Sequence, residues 1–154
     1  MKTLIIYVSL HHGNTEKVAK AMANALGADL LRVEQADINM LSAYDLIGFG
    51  SGVYFGKYHK SLLELIDRLP VLENKKAFIF STSGIRKIQF IHDFHKPLKE
   101  RLLKKGFNII GEFSCRGFDT YGASKIIGGI KKGRPNEKDL NQAENFARVL
   151  KDRK

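Results

Sequence analysis

Apolar residues fall in short blocks separated by polar, glycine-bearing stretches, and the spacing inside successive blocks alternates between two kinds. Leu4–Val8 is a continuous apolar run, the pattern of a strand covered on both faces. After Asn14 or Thr15, either able to cap a helix, Val18, Ala19, Met22, Ala23 and Leu26 recur at helical spacing until Gly27 stops the run. Asp29–Glu34 and Asp45–Gly50 read as a second and a third strand. A helix from about Lys60 to Leu69 turns Leu62, Leu63, Leu65, Ile66 and Leu69 inward, and Pro70 ends it. Lys76–Phe80 is a fourth strand, and His92–Lys105 is a helix kinked or delayed by Pro97 and closed by Gly106. Phe107–Phe113 is a fifth strand, and Asn136–Lys151 is a last helix with Leu140, Ala143, Phe146, Ala147 and Leu150 on its buried side. Strands alternating with helices predict an α/β fold with a parallel sheet and helices on both faces, because each crossover is right-handed and covers a face. No repeat or linker divides residues 1–154, which read as one domain.

Composition narrows the classes. A chain of 154 residues, 44% hydrophobic and 27% charged, is long enough for a proper core. No apolar stretch approaches a bilayer span. The apolar start is short and runs into a His-Gly-Asn loop, so it reads as a buried strand rather than a secretory leader. A lone cysteine, Cys115, excludes an internal disulfide and points to a reducing, cytoplasmic setting. The net charge of +10 is uneven: residues 1–56 carry 4 Lys/Arg and 5 Asp/Glu, and residues 57–154 carry the other 22 and 11. Such asymmetry raises nucleic-acid binding. The basic residues are nevertheless dispersed along helices and form no recognised nucleic-acid module, so a solvated basic surface is the reading adopted, and no nucleic-acid partner is expected.

Four polar segments follow the ends of strands one, three, four and five, and in open α/β sheets ligands bind beyond those ends. The first is Ser9-Leu10-His11-His12-Gly13-Asn14-Thr15, which joins a strand to a helix start and so aims backbone N–H groups at a site for an anion. It has neither the lysine of a Walker loop nor the G-x-G-x-x-G spacing of a dinucleotide fold. A phosphate there would be held by hydroxyls and amides. An ordinary strand-to-helix turn is the alternative. The second, Ser51-Gly52-Val53-Tyr54-Phe55-Gly56-Lys57-Tyr58, sets aromatics between glycines, as if to pack on something flat. Ser81-Thr82-Ser83-Gly84 suits hydrogen bonds to a polar heterocycle, or is a plain hydroxyl turn. Ser114-Cys115-Arg116-Gly117-Phe118-Asp119-Thr120-Tyr121-Gly122 adds an aromatic pair, a thiol and an arginine. Together they suit a planar, phosphorylated ligand. The five histidines include His92 and His95 at i, i+3, but no carboxylate set completes a metal site.

These features resemble the flavodoxin family. Gly13-Asn14-Thr15 matches the end of its phosphate loop, Glu16-Lys17-Val18-Ala19 continues the helix as in flavodoxins, and the likeness extends over almost the whole chain. Gly50-Ser51-Gly52-Val53-Tyr54-Phe55-Gly56-Lys57-Tyr58-His59 is similar to loops of short flavodoxins and of flavodoxin-like protoporphyrinogen oxidases. The resemblance implies a three-layer fold with a five-stranded parallel sheet of order 2-1-3-4-5, one bound FMN, and electron transfer. It implies that Ser9, His11, His12, Gly13, Asn14 and Thr15 surround the phosphate, and that Ser51, Gly52, Tyr54, Phe55 and Gly56 flank one side of the ring. Thr82, Ser83 and Gly84, with Cys115, Arg116, Gly117, Asp119 and Tyr121, then hold its polar edge and other side.

The departures are informative. Three residues separate Ser9 from Gly13 where the family commonly has two, His11 and His12 stand where Thr is favoured, and there is no tryptophan to stack on a flavin. Flavodoxins are typically acidic, whereas here Lys57, Lys60, Arg86, Lys87 and Arg116 lie in or beside the ring segments. One charge about 10 Å away in water-like dielectric is worth roughly 0.4 kcal/mol, about 20 mV for one electron. The fully reduced flavin, an anion, is therefore expected at a less negative potential than in acidic flavodoxins. The expected partners are redox proteins with acidic docking faces, met by a monomer. The favoured reading is an electron carrier. A small FMN-dependent oxidoreductase acting on a porphyrinogen or quinone stands as the alternative, with residues 120–133 as its only candidate insertion, and a flavin-free basic binding domain stands third.

Overall fold

The computed structural model describes residues 1–9, 13–54, 57–82, 91–115 and 137–152. In chain order the elements are β1 (Thr3–Val8), α1 (Asn14–Leu26), β2 (Asp29–Arg32), β3 (Leu46–Tyr54), β4 (Lys57–Tyr58), α2 (Lys60–Asp67), β5 (Lys75–Thr82), α3 (Ile91–Lys104), β6 (Phe107–Cys115) and α4 (Glu137–Asp152). Two 3₁₀ turns, Val33–Gln35 and Ile38–Ala43, connect β2 to β3. The sheet order is β2-β1-β3-β5-β6, all parallel, with the two-residue β4 paired antiparallel to β3. Leaving out β4, this is the 2-1-3-4-5 order.

Alternation along each strand builds two cores. Leu4, Ile6 and Val8 of β1 join Leu62, Leu65 and Ile66 of α2 and Leu98 and Leu102 of α3. Ile5 and Tyr7 face the other way, onto Val18, Ala19 and Met22 of α1 and Ala143, Ala147 and Leu150 of α4. Helices thus cover both faces, which is why β1 reads as an unbroken apolar run.

In the centre, Gly48 and Gly50 of β3 stand directly opposite Phe78 and Phe80 of β5. The two rings lie where glycine side chains would be, so a Cβ at either position would fall within 3.0 Å of ring carbons. Phe78 and Phe80 stack with centroids 6.2 Å apart and are fully buried. Between β5 and β6 the register shifts: Ala77 pairs with Ile109 but Phe78 pairs with Gly111, so Ile110 is an extra residue forming a bulge.

Several boundaries differ from those read in the sequence. The third, fourth and fifth strands continue to Tyr54, Thr82 and Cys115, so the polar segments begin inside the sheet rather than after it. The second strand stops at Arg32 because Val33–Gln35 turns into a 3₁₀ helix. The helix after Lys60 ends at Asp67, and Pro97 lies within α3. Gly13, in the left-handed region at φ 65°, ψ 29°, is the residue that precedes α1, and Asn14 and Thr15 fall inside the helix.

Candidate functional site

The parallel register lines the strand ends into rows. Val8, Ser51, Ser81 and Ser114 are successive neighbours across β1, β3, β5 and β6, and Gly52, Thr82 and Cys115 form the next row out. Three of the polar segments inferred from the sequence therefore leave the sheet side by side, and the fourth leaves next to Val8. His11, His12, Phe55, Gly56, Ser83, Gly84, Arg116, Gly117, Asp119 and Tyr121 lie outside the described residues. So do the side chains of Tyr54 and Cys115, whose backbones end β3 and β6.

At the β1 end, Gly13 lets the chain turn into α1, a conformation that a Cβ-bearing residue resists. The first N–H groups of any helix have no acceptor within it and point out along the axis. Ser9 Oγ accepts one of them, from Glu16 N at 3.2 Å, and Lys17 N–H bonds the Gly13 carbonyl at 3.1 Å. Thr15, 1% exposed, shares a hydrogen bond of 2.9 Å with the hydroxyl of Thr82 at the end of β5. This pair ties the helix start to the sheet edge two strands away.

An acid in this first turn would repel an anion, and its charge is balanced locally. Glu16 Oε1 accepts from the Tyr7 hydroxyl at 2.7 Å and from the Arg32 guanidinium at 3.1 Å. The Tyr7 hydrogen bond, helped by Lys20 and Arg32, outweighs burial and holds the Glu16 carboxyl below its usual range. Burial, the hydrogen bond to Glu16 and its charge push the Tyr7 phenol up to about 12.

At the β3 end, Ser51 is buried and its hydroxyl donates to the Gly52 carbonyl at 2.7 Å while accepting from His59 N at 3.1 Å. It closes the hairpin in which Val53 pairs with Tyr58 and Tyr54 with Lys57. His59 in turn caps α2, its Nδ1 accepting from Ser61 N at 3.1 Å.

Sequence reasoning missed a polar cluster built around a buried histidine under the outer rows. His95 of α3 is 0% exposed, with Nε2 2.9 Å from Ser81 Oγ and Nδ1 2.9 Å from Glu112 Oε1. Ser81 Oγ also lies 3.1 Å from Ser114 Oγ, and Lys99 Nζ reaches Glu112 Oε2 at 3.1 Å. Burial pushes the Glu112 carboxyl up, but the bonds from His95 and Lys99 together outweigh it and hold the carboxyl below its usual range. The available signal was spacing: His95 shares the inward stripe of α3 with Leu98 and Leu102, at i+3 and i+7. Among the described residues no group of His, Cys, Asp or Glu is arranged to hold a metal, and no helix is long and apolar enough to cross a membrane.

The donor set at the β1 end consists of hydroxyls, a left-handed glycine and a helix N-terminus, with no lysine. That chemistry fits a phosphate monoester held by amides and hydroxyls. A Flavodoxin domain model matches residues 4–117. An uncharacterized protein of Methanocaldococcus jannaschii is 49% identical over 150 residues, covering 97% of this chain and 98% of its own. Among solved structures, a short-chain flavodoxin associated with a non-canonical PDU bacterial microcompartment superposes with a TM-score of 0.73 at 17% identity, over 97% of both chains. Oxidised flavodoxin 2 of Bacillus cereus superposes with a TM-score of 0.70 at 23% identity, over 96% of this chain and 95% of its own.

Proposed function

The chain belongs to the flavodoxin family, and from that premise we propose that residues 1–154 form one FMN-binding domain that carries single electrons between redox proteins. The observation that supports it most is the convergence of the β1–α1 turn with the outer ends of β3, β5 and β6 on one sheet edge. FMN, when bound, supplies the one-electron chemistry. The protein's residues bind and orient it.

Ser9, Gly13, Asn14 and Thr15 would hold the phosphate, with His11 and His12 beside it. Thr15 does so from a fixed position, since its hydroxyl is braced on Thr82. Glu16 stays near this seat because Tyr7 and Arg32 absorb its charge. Ser51 and Gly52 would set the hairpin that brings Tyr54, Phe55 and Gly56 to one side of the ring. Thr82, Ser83 and Gly84 would hold the polar edge, with Cys115, Arg116, Gly117, Asp119 and Tyr121 on the remaining side. A net charge of +10 favours partners with acidic docking faces, whose encounter slows as salt screens the attraction.

Fluorescence titration of FMN into the stripped protein tests the reading, and saturable quenching at one equivalent is the expected result. No quenching at high protein concentration would overturn it. Stepwise reduction followed by transfer to an acidic redox protein then separates a carrier from an enzyme, because the carrier turns over no small substrate alone.

A further inference from the structure

We infer that His95 is a positioning residue for the flavin ring, acting through Ser81, Ser114 and Glu112; the inference rests on the FMN reading above. His95 comes from α3, Ser81 from β5, and Ser114 and Glu112 from β6. One imidazole therefore joins three elements one row short of the ends of β5 and β6. The next residue of β5, Thr82, and the next of β6, Cys115, are register partners, and beyond them the chain enters the segments assigned to the ring.

The protonation pattern defines the link. An ionised carboxylate only accepts, so Nδ1 of His95 carries the hydrogen that bonds Glu112. Glu112 is held in turn by Lys99, which fixes the plane of the imidazole. Nε2 then meets Ser81 Oγ, and Ser81 meets Ser114 across the strand pair. Successive residues of a strand face opposite ways. Ser81 is gripped by His95 on the α3 side, and Thr82 by Thr15 on the α1 side. The end of β5 is thus clamped from both faces.

Packing alone does not require this arrangement. His95 lies on a stripe with Leu98 and Leu102, where an apolar side chain would fill the layer without burying polar groups that must all be satisfied. What the polar cluster adds is direction: hydrogen bonds fix angle and height at the point of departure in a way that apolar contact does not.

The test compares FMN dissociation constants and flavin midpoint potentials of the native protein, His95→Leu, Glu112→Gln and Leu102→Ala. Glu112→Gln retains an acceptor for Nδ1–H, and Leu102→Ala removes core packing further along the same helix. His95→Leu is expected to weaken FMN binding by roughly tenfold, the scale of one lost hydrogen-bonded link. The oxidised and reduced flavins should be weakened unequally, and a tenfold inequality reads as about 59 mV in a one-electron couple. Glu112→Gln, which keeps an acceptor for Nδ1–H, should weaken FMN binding less than His95→Leu does. Leu102→Ala should unfold more readily yet bind FMN and titrate as the native protein does. Where His95→Leu does not fold, Ser81→Ala removes the same link through one atom, and its affinity and potential are expected to move in the same directions. Native affinity and native potential in the folded His95 or Ser81 variant would overturn the inference while leaving the FMN reading intact. Failure of the native protein itself to bind FMN would overturn both.

Discussion

Replacing Gly50 with alanine adds one methyl group where the fold has no room for it. The new Cβ would meet three carbons of the Phe80 ring, all inside 3.0 Å. The ring cannot retreat, since Phe80 is fully buried and stacks on Phe78 at 6.2 Å, and Phe78 lies over Gly48 in the same way. Overpacking of this kind costs about 1–3 kcal/mol. Against it stands a gain of about 0.4–1 kcal/mol from restricting the unfolded chain. Contacts this close put the cost at the top of its range, so the net destabilisation is about 2–2.6 kcal/mol, and at about 2–4 °C per kcal/mol for a chain of this length the melting temperature falls by roughly 4–10 °C. Phe80→Ala alone should cost more, about 3–5 kcal/mol, by leaving a cavity. In the double variant the added methyl group enters the space that the ring vacates, so the combined loss should fall short of the sum by about 0.5–3 kcal/mol. Urea unfolding of the four proteins, fitted with a common slope, measures this coupling. A Gly50→Ala protein as stable as the native one, or strictly additive losses, would refute the packing argument.

Gly13→Ala and Gly27→Ala impose nearly the same backbone strain, φ 65° and 66°, without a close clash, so each should lose about 1–2 kcal/mol in denaturant unfolding. Only the Gly13 variant should also weaken FMN in a quenching titration. Tyr7 contributes stability that is complete below pH 10, its ordinary value, and fades as pH rises through about 12. Tyr7→Phe should therefore flatten the alkaline end of the stability profile. Glu16, held below its usual range, contributes stability above that range that is lost as pH falls through its folded value, so Glu16→Gln should flatten the acid end. The fully reduced flavin couple should be less negative than in acidic flavodoxins in low-salt potentiometry and should move negative as salt is added. A value as low as theirs would refute the charge argument.

The periodic elements were legible because their faces are set by burial. Leu4–Val8 is apolar throughout because α1 and α2 cover opposite sides of β1, and the stripes of α1, α2 and α4 repeat every three or four residues for the same reason. The strand ends were not legible. Ser51 and Gly52 read as loop by composition, yet the ladder to Ser81 and Thr82 carries them inside the sheet, where hydrogen bonds to Gly52 and His59 satisfy the Ser51 hydroxyl. Asn14 and Thr15 looked like caps, but a left-handed glycine precedes them and Ser9, five residues before the helix, supplies the capping oxygen. Local spacing places His95 on the inward stripe of α3 but does not name its partners, which come from β5 and β6, 14 and 17 residues away in the chain.

The bulge at Ile110 sets a parity. Before it, odd-numbered residues of β6, Phe107 and Ile109, turn toward α2 and α3; after it, even-numbered ones do, and Glu112 and Ser114 arrive beside His95. Were the strand to run regularly through Ile110, pairing it with Phe78, every later residue would change sides, delivering a carboxylate to the greasy wall of Phe146 and Leu150 and a phenyl group to the imidazole.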